Sequence, residues 1–388
     1  MIPFGFDAIP LTFHGDLFPG ASVLELLVFM LPPQERVISN VLKSFPSGFV
    51  SVDPPITMNM SSLCQIKSLP IPSQPNIDAL QRFLSDPKAN VPNAIYYTHL
   101  PNGHSARSIP FLHWVVAYWW LIAQLHHYAL VPWLRAESWI SQVHPSIRAS
   151  DLRTSVDKIY SNLYNLPWTG KTHAFCDSEP IIRFSRYLSS EWLGTTHIHQ
   201  QLDLLQRRLS CGSHPFAFEI LPNHFFQKII NIYNHQSEQY TANYHPAHHI
   251  WSVGEQLTDP AFRHSKLGGI LNIDANHWIT VVIDIAQSTI FCGDSLGIGH
   301  DRIPPAIDWW VNIHVGQHFT HLPLPISQQG DGISCGLFAV NALTHFFFPE
   351  HALLSQRDVN AERLCWFYEA SSFELDIVSL DIFLLFSY

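Results

Sequence analysis

One cysteine in this sequence follows a flexible loop and precedes an apolar helix, a position that favours a reactive thiolate. The loop reads QGDGISCG from Gln329 to Gly336, and the apolar residues 335–348 predict a buried helix that begins at Cys335. A thiol is nucleophilic only as the thiolate, and the positive end of a helix dipole lowers its pKa from the free value of about 8.5. Cys335 is therefore a candidate nucleophile.

A histidine and an aspartate mark two predicted strands upstream of that helix. His277 opens the run HWITVVIDI, and Asp294 follows the run STIFCG, the two runs being separated by a short turn that predicts a hairpin. A base beside a thiol must be held in one tautomer, and a carboxylate does this by accepting one ring N–H. The hairpin predicts that Asp294 orients His277. His277 is then the candidate base for Cys335, provided that the fold brings the two residues together.

A side-chain amide completes this set of candidate catalytic groups. Attack on an amide carbonyl creates an oxyanion, which the Gln329 amide and the backbone N–H of Cys335 would stabilise. Taken alone, a cysteine or one of 24 histidines is more often structural than catalytic. The order His-Trp, Asp-Ser-Leu, Gln and Ser-Cys-Gly is rare by chance, and it favours catalysis.

These motifs resemble those of the ubiquitin-like-protein-specific cysteine proteases, the family that includes the SUMO proteases. The family's pattern is His-Trp, then Asp-Ser-Leu, then Gln followed six residues later by Cys-Gly, and all three pieces occur here in that order. Upstream, Glu191-Trp192-Leu193 is similar to the family's Trp-Leu entry segment, so the resemblance covers about residues 155–388. The run LPWTGK and the Trp309-Trp310 pair are similar to protease domains of fungal mobile-element proteins.

The resemblance implies an α+β, papain-like cysteine protease fold, with a central mixed sheet flanked by helices. It implies a cysteine-type peptidase or isopeptidase that cleaves after the Gly-Gly tail of a ubiquitin-like modifier, SUMO or similar. The triad would be Cys335, His277 and Asp294, with Gln329 in the oxyanion hole. Trp192 and Trp278 would form a tunnel whose flat walls admit a glycine backbone and exclude a β-carbon. The partner implied is the modifier or its protein conjugates, and no cofactor is implied.

Two positions depart from the family's usual residues, and other functions share the scaffold. Ser334 precedes the cysteine where Asp is common, and Thr195 stands where SUMO proteases commonly have Asp, which leaves the modifier open. A His-acid-Cys triad can also transfer an acyl group to an amine, and a decayed relative would only bind the modifier. Core packing is the alternative role for Trp192 and Trp278. The tunnel separates a modifier protease from an acyltransferase, which needs no Gly-Gly channel.

Composition excludes several other classes of protein. The chain has 388 residues, 47% hydrophobic and 13% charged, which predicts a soluble globular protein. A formal net charge of -10 argues against a nucleic-acid surface, which needs clustered Lys and Arg. Six cysteines without CxxC pairs predict neither a metal site nor a disulfide framework, and they favour an intracellular location, nuclear or cytoplasmic. The apolar run 111–130 contains polar residues that favour a buried helix over a membrane span.

The chain is predicted to have two regions. Residues 1–150 form an N-terminal region whose function the sequence does not indicate. This region is predicted to be irregular and rich in Pro and Ser over 32–75, and helical and rich in Trp over 111–141. Residues 155–388 form the catalytic domain, in which 303–315 predicts a helix and 319–326 an extended segment.

Overall fold

A computed structural model provides the architecture. It describes residues 20–29, 71, 74–75, 77–78, 82, 94–99, 107–112, 114–148, 152, 154–211, 218–234, 249–257, 259, 266–297 and 304–385. Almost all of the predicted Pro- and Ser-rich stretch, including residues 32–70, lies outside the described residues.

The chain divides into two compact units, residues 1–134 and residues 135–388. The assignment of separate roles to residues 1–150 and 155–388 stays a prediction. Among the described residues, no helix has the length and hydropathy needed to cross a membrane.

The first unit contains a β-hairpin and a long helical stretch. Its elements, with the helix that follows them, are α1 (Val23–Val28), β1 (Ala94–His99), β2 (Arg107–Leu112), α2 (Trp114–Gln124), a π-helical segment (Leu125–Leu130) and α3 (Val131–Val143). The expectation of a helix from Phe111 is wrong at its start, because Phe111 pairs with Ile95 in the hairpin. Aromatic and β-branched residues suit a strand as well as a helix, so the apolar pattern alone does not separate the two. Trp119 and Trp133 are fully buried, as core residues would be.

The second unit contains a five-stranded sheet between two groups of helices. Its helices are α4 (Val156–Asn165), α5 (Thr195–Ser210), α6 (Phe225–Asn234), α7 (His249–Gln256), α8 (Pro304–Val315), α9 (Cys335–Phe347) and α10 (Val359–Leu385). Its strands are β3 (Phe218–Ile220), β4 (Lys266–Ile273), β5 (His277–Asp284), β6 (Thr289–Gly293) and β7 (Thr320–Pro323). The predicted helices after 303 and 335, and the predicted strands after 277, 288 and 319, are confirmed.

The sheet is mixed, with the strand order β3-β4-β5-β6-β7. The three central strands are antiparallel, and each edge strand is parallel to its neighbour. Every residue of β5 is buried, because helices cover both faces of this central strand. Its continuous apolar run, rich in β-branched residues, suits a strand that is buried on both faces. The predicted mixed sheet flanked by helices is confirmed.

The two helical layers differ in what they position. On one side α6, α7 and α8 form a large core against the sheet, with Phe225, Trp310, Ile279 and Val281 among its fully buried members. On the other side α9 packs against β5 and is covered by α5 and α10. Thr280 Oγ1 of β5 donates a 2.6 Å hydrogen bond to the Ala339 carbonyl of α9. The central strand and the central helix are thereby held in a fixed relation.

A glycine permits the close approach of α9 to its neighbours. A β-carbon at Gly336 would lie 2.7 Å from Ile198 Cδ1 and 3.2 Å from Trp278 Cδ1. The first distance is far shorter than an ordinary carbon contact of about 3.5–4.0 Å. The glycine after Cys335 is therefore needed for packing, and it lets the amino end of α9 reach the start of β5.

Candidate active site

The histidine and aspartate of the predicted pair are in contact. His277 Nε2 and Asp294 Oδ1 are 2.7 Å apart, and both residues are buried. Thr280 pairs with Gly293 in the β5–β6 hairpin, so continuing that register places Asp294 opposite Ile279, two residues from His277. Diagonal neighbours across an antiparallel pair lie within reach of long side chains. The hairpin itself therefore accounts for this contact.

The carboxylate fixes the tautomer of the imidazole. A carboxylate only accepts hydrogen bonds, so Nε2 of His277 must carry the proton in its bond to Asp294. The Asp294 carboxylate is itself oriented, because Oδ1 also accepts a 2.8 Å bond from the backbone N–H of Leu296. Nδ1 of His277 is buried and has no conventional hydrogen-bond partner among the described residues. This nitrogen is left to exchange a proton with the thiol.

Cys335 occupies the first position of α9, where the helix dipole favours the thiolate. Burial raises the pKa of the Cys335 thiol, but interactions with the His277 ring, the backbone of Trp278 and the Trp192 indole outweigh burial and bring the pKa below its ordinary value. Burial lowers the pKa of His277, but its interactions with Cys335 and Asp294 outweigh burial and raise the pKa above its ordinary value. The two opposite shifts favour a thiolate beside an imidazolium.

The Gln329 side chain is held at both ends of its amide. Its Oε1 accepts a 2.5 Å bond from Ser295 Oγ, and its Nε2 donates a 2.6 Å bond to the carbonyl oxygen of Asp331. A carbonyl only accepts, so this contact fixes which end of the amide is nitrogen. The backbone N–H of Gln329 also donates to the Ser295 carbonyl at 3.0 Å. One N–H of the amide remains outside these bonds, as an oxyanion donor requires.

Trp192 and Trp278 lie next to each other, but they do not form an open tunnel in this structure. Their rings are stacked, with centroids 5.6 Å apart and planes 12° from parallel. A peptide backbone between two rings needs two carbon contacts of about 3.5–4.0 Å each, so the rings would have to stand about 7–8 Å apart. A Gly-Gly segment can therefore pass between them only after they separate.

The two tryptophans are held differently. Trp278 is fully buried, and its indole N–H donates a 3.1 Å bond to the Leu193 carbonyl. Trp192 is half-buried, and its indole nitrogen has no conventional partner among the described residues. Trp192 is thus the more exposed of the two rings.

Two residues toward the carboxyl end support the site, although no local sequence motif marks them. Arg363 is fully buried in α10 and donates to the carbonyl oxygens of Arg186 and Glu191, beside Trp192. Burial lowers the pKa of Arg363 to about 10, so its guanidinium stays charged at neutral pH. Gln356 accepts from the backbone N–H of Gly330 at 2.7 Å and so holds the loop before the nucleophile. Both contacts join segments far apart in sequence.

The described part of the chain contains no group of three His, Cys, Asp or Glu residues arranged to hold a metal ion.

Neither a scan against protein-family models nor a search of curated proteins gives a match. Among solved structures, the yeast Ulp1 protease domain, in complex with the SUMO ortholog Smt3, is 16% identical, covers 60% of this chain and 96% of its own, and has a TM-score of 0.41. A Chaetomium thermophilum Ulp1-like SUMO protease catalytic domain is 14% identical, covers 60% of this chain and 87% of its own, and has a TM-score of 0.35.

A third solved structure is the Xanthomonas campestris effector XopD bound to ubiquitin. It is 16% identical, covers 46% of this chain and 91% of its own, and has a TM-score of 0.33. The similar structures are ubiquitin-like protein protease domains. This is the class of protein that the sequence motifs resemble, and the predicted mixed sheet flanked by helices is present in the second unit. The resemblance to fungal mobile-element proteins stays a prediction.

Proposed function

We propose that residues 155–388 form a cysteine-type peptidase or isopeptidase that cleaves after the Gly-Gly tail of a ubiquitin-like modifier, SUMO or similar. The observation that carries the proposal is the arrangement of Cys335, His277 and Asp294. A thiol at a helix amino terminus interacts with an imidazole whose far nitrogen lies 2.7 Å from a buried carboxylate. The opposite pKa shifts of the thiol and the imidazole support the same chemistry.

The reaction follows from the protonation states of these groups. Cys335 Sγ, having given its proton to His277 Nδ1, attacks the carbonyl carbon of the terminal glycine and forms an S–C bond. The Gln329 amide and the Cys335 backbone N–H stabilise the oxyanion. The C–N bond then breaks, and the amine leaves with the proton from His277. A water molecule, deprotonated by Nδ1, attacks the thioester and releases the modifier carboxylate and the thiol.

The pair of tryptophans supports a substrate tail without side chains. The Trp192 indole interacts with Cys335, and the Trp278 ring stacks on Trp192, so the pair of rings lies beside the nucleophile. A Gly-Gly segment between separated rings would present no β-carbon to either wall. An acyltransferase with a small acyl donor would gain nothing from such walls. The proposed substrate is therefore a modifier with a diglycine tail, and SUMO and ubiquitin are the first candidates to test.

The tail specificity is tested with paired substrates. Modifier fusions ending in Gly-Gly and in Gly-Ala should differ in kcat/KM by about 10- to 200-fold with the wild-type protein, because one extra methyl group is worth about 1–3 kcal/mol in a tight apolar site. Trp192→Ala should cleave the Gly-Gly substrate more slowly and should discriminate less between the two. The measurement is kcat/KM for both substrates on both proteins.

A matched tryptophan serves as the control for this experiment. Trp309 is partly buried in α8 and packs against Tyr233, with ring centroids 6.0 Å apart. Trp309→Ala should lower stability while leaving the ratio of the two kcat/KM values unchanged. If Trp192→Ala slows both substrates by the same factor, Trp192 is a packing residue, and the modifier specificity loses its structural basis.

A further inference from the structure

One carboxylate in the loop before Cys335 is not part of the triad, yet it accepts four hydrogen bonds. Asp331 Oδ1 accepts from the backbone N–H groups of Ile333 at 2.9 Å and Ser334 at 2.8 Å. Asp331 Oδ2 accepts from Ser334 Oγ at 2.8 Å and from Gln356 Nε2 at 2.7 Å. Both carboxylate oxygens are thus used to hold the residues immediately before the nucleophile.

The main chain of the same residue holds the oxyanion donor. The carbonyl oxygen of Asp331 accepts the 2.6 Å bond from Gln329 Nε2. With one amide N–H engaged there and Oε1 engaged by Ser295, the direction of the second N–H is fixed. Preorganised donors of this kind stabilise an oxyanion without reorganisation during the reaction.

The bond between Asp331 and Ser334 also affects the start of α9. A serine before a helix usually turns its hydroxyl toward the N–H groups of the first turn. Ser334 makes no such capping bond, and its hydroxyl is turned toward Asp331, to which it donates. The Ser334 hydroxyl therefore does not compete with an oxyanion for the N–H groups at the amino end of α9, which include that of Cys335.

We propose that Asp331 is the positioning residue of the oxyanion pocket. Its carboxylate sets the backbone that presents the Cys335 N–H, and its carbonyl oxygen sets the Gln329 amide, so one residue aligns both donors. Asp331 acts through these two donors rather than on the reacting atoms. The inference rests on the proposed acyl-transfer chemistry at Cys335, but it does not depend on which modifier is the substrate.

The test separates thiolate formation from oxyanion stabilisation. Alkylation of Cys335 by iodoacetamide requires the thiolate and forms no oxyanion, whereas turnover of p-nitrophenyl acetate passes through one twice. Asp331→Asn keeps the shape of the side chain but replaces one acceptor oxygen with an amide donor, which opposes the donors of Ser334 and Gln356. Its alkylation rate should stay within about twofold of wild type, and its acetate turnover should fall about 10- to 100-fold. Gln329→Ala, which removes one oxyanion donor, should likewise lower acetate turnover and leave alkylation nearly unchanged.

A carboxylate outside the pocket serves as the matched control. Asp308 of α8 accepts from His321 at 2.8 Å on a different part of the unit, and Asp308→Asn should change neither rate. The inference is overturned if Asp331→Asn lowers both rates by one common factor, if it leaves turnover unchanged, or if wild-type Cys335 takes the acetyl group without releasing it. Acetate turnover with the expected pattern, but no cleavage of any modifier, would refute the proposed function and leave this inference standing.

Discussion

Cys335→Ser is expected to lower the cleavage of a Gly-Gly-linked substrate by at least about 10³-fold, because the serine hydroxyl is far less acidic than the thiol. The interactions that bring the pKa of Cys335 below its ordinary value do not suffice to ionise a hydroxyl at neutral pH. Sulfur and oxygen are similar in size, so the unfolding midpoint should change little. Steady-state kinetics would measure the loss of cleavage, and thermal unfolding of the same preparation would measure the midpoint.

Another buried cysteine provides the control for this substitution. Cys292 in β6 is buried, and burial raises the pKa of its thiol to about 12. Cys292→Ser should reduce stability by placing a hydroxyl in the core and should leave kcat nearly unchanged. Comparable turnover by wild type and Cys335→Ser would remove Cys335 from the role of nucleophile.

His277→Gln is expected to lower kcat by about 10³-fold and to change the pH dependence of Cys335 alkylation. The pKa of Cys335 is lowered and that of His277 is raised in the folded protein, so the reactive pair exists above the first pKa and below the second. Without the imidazolium, Cys335 loses the largest of the interactions that lower its pKa, whereas the opposing effect of burial remains. Alkylation at pH 6.5 should then fall about 10- to 100-fold, and the difference from wild type should shrink as the pH rises past about 9.

The control for this prediction is a histidine in a similar pair outside the site. His321 contacts Asp308 at 2.8 Å, and His321→Gln should leave the alkylation profile unchanged. If His277→Gln retains the wild-type profile, a different group lowers the pKa of the thiol, and His277 loses its role as base.

The sequence predicted those parts of the site that depend on local structure. The β5–β6 hairpin is short, so its strand pattern and turn predict that His277 and Asp294 are neighbours. The structure shows this contact. Cys335 was located at a helix start by the change from a glycine-rich loop to an apolar run. These are relations between neighbouring elements, and hydrophobic periodicity with turn chemistry describes such relations well.

The sequence did not predict the relations that depend on distant segments. Gln356 and Arg363 reach the site from the residues around the start of α10, and no motif marks them. The direct stacking of Trp192 on Trp278 depends on how the segment before α5 packs against β5. Asp331 did carry a local signal. The run Asp331-Gly332-Ile333-Ser334 is of a kind in which an Asp side chain accepts hydrogen bonds from nearby backbone N–H groups.

The most direct test of the central claim is covalent labelling by a panel of ubiquitin-like proteins whose terminal glycine is replaced by a thiol-reactive electrophile. Cys176 and Cys211 are exposed, whereas Cys335 is buried, so non-specific labelling would reach the exposed thiols first. We predict that SUMO, ubiquitin or another member of the panel forms a single adduct, located at Cys335 by peptide mass mapping and absent in Cys335→Ala. Labelling of Cys176 or Cys211 alone, or no adduct with any member of the panel, would contradict the proposed function.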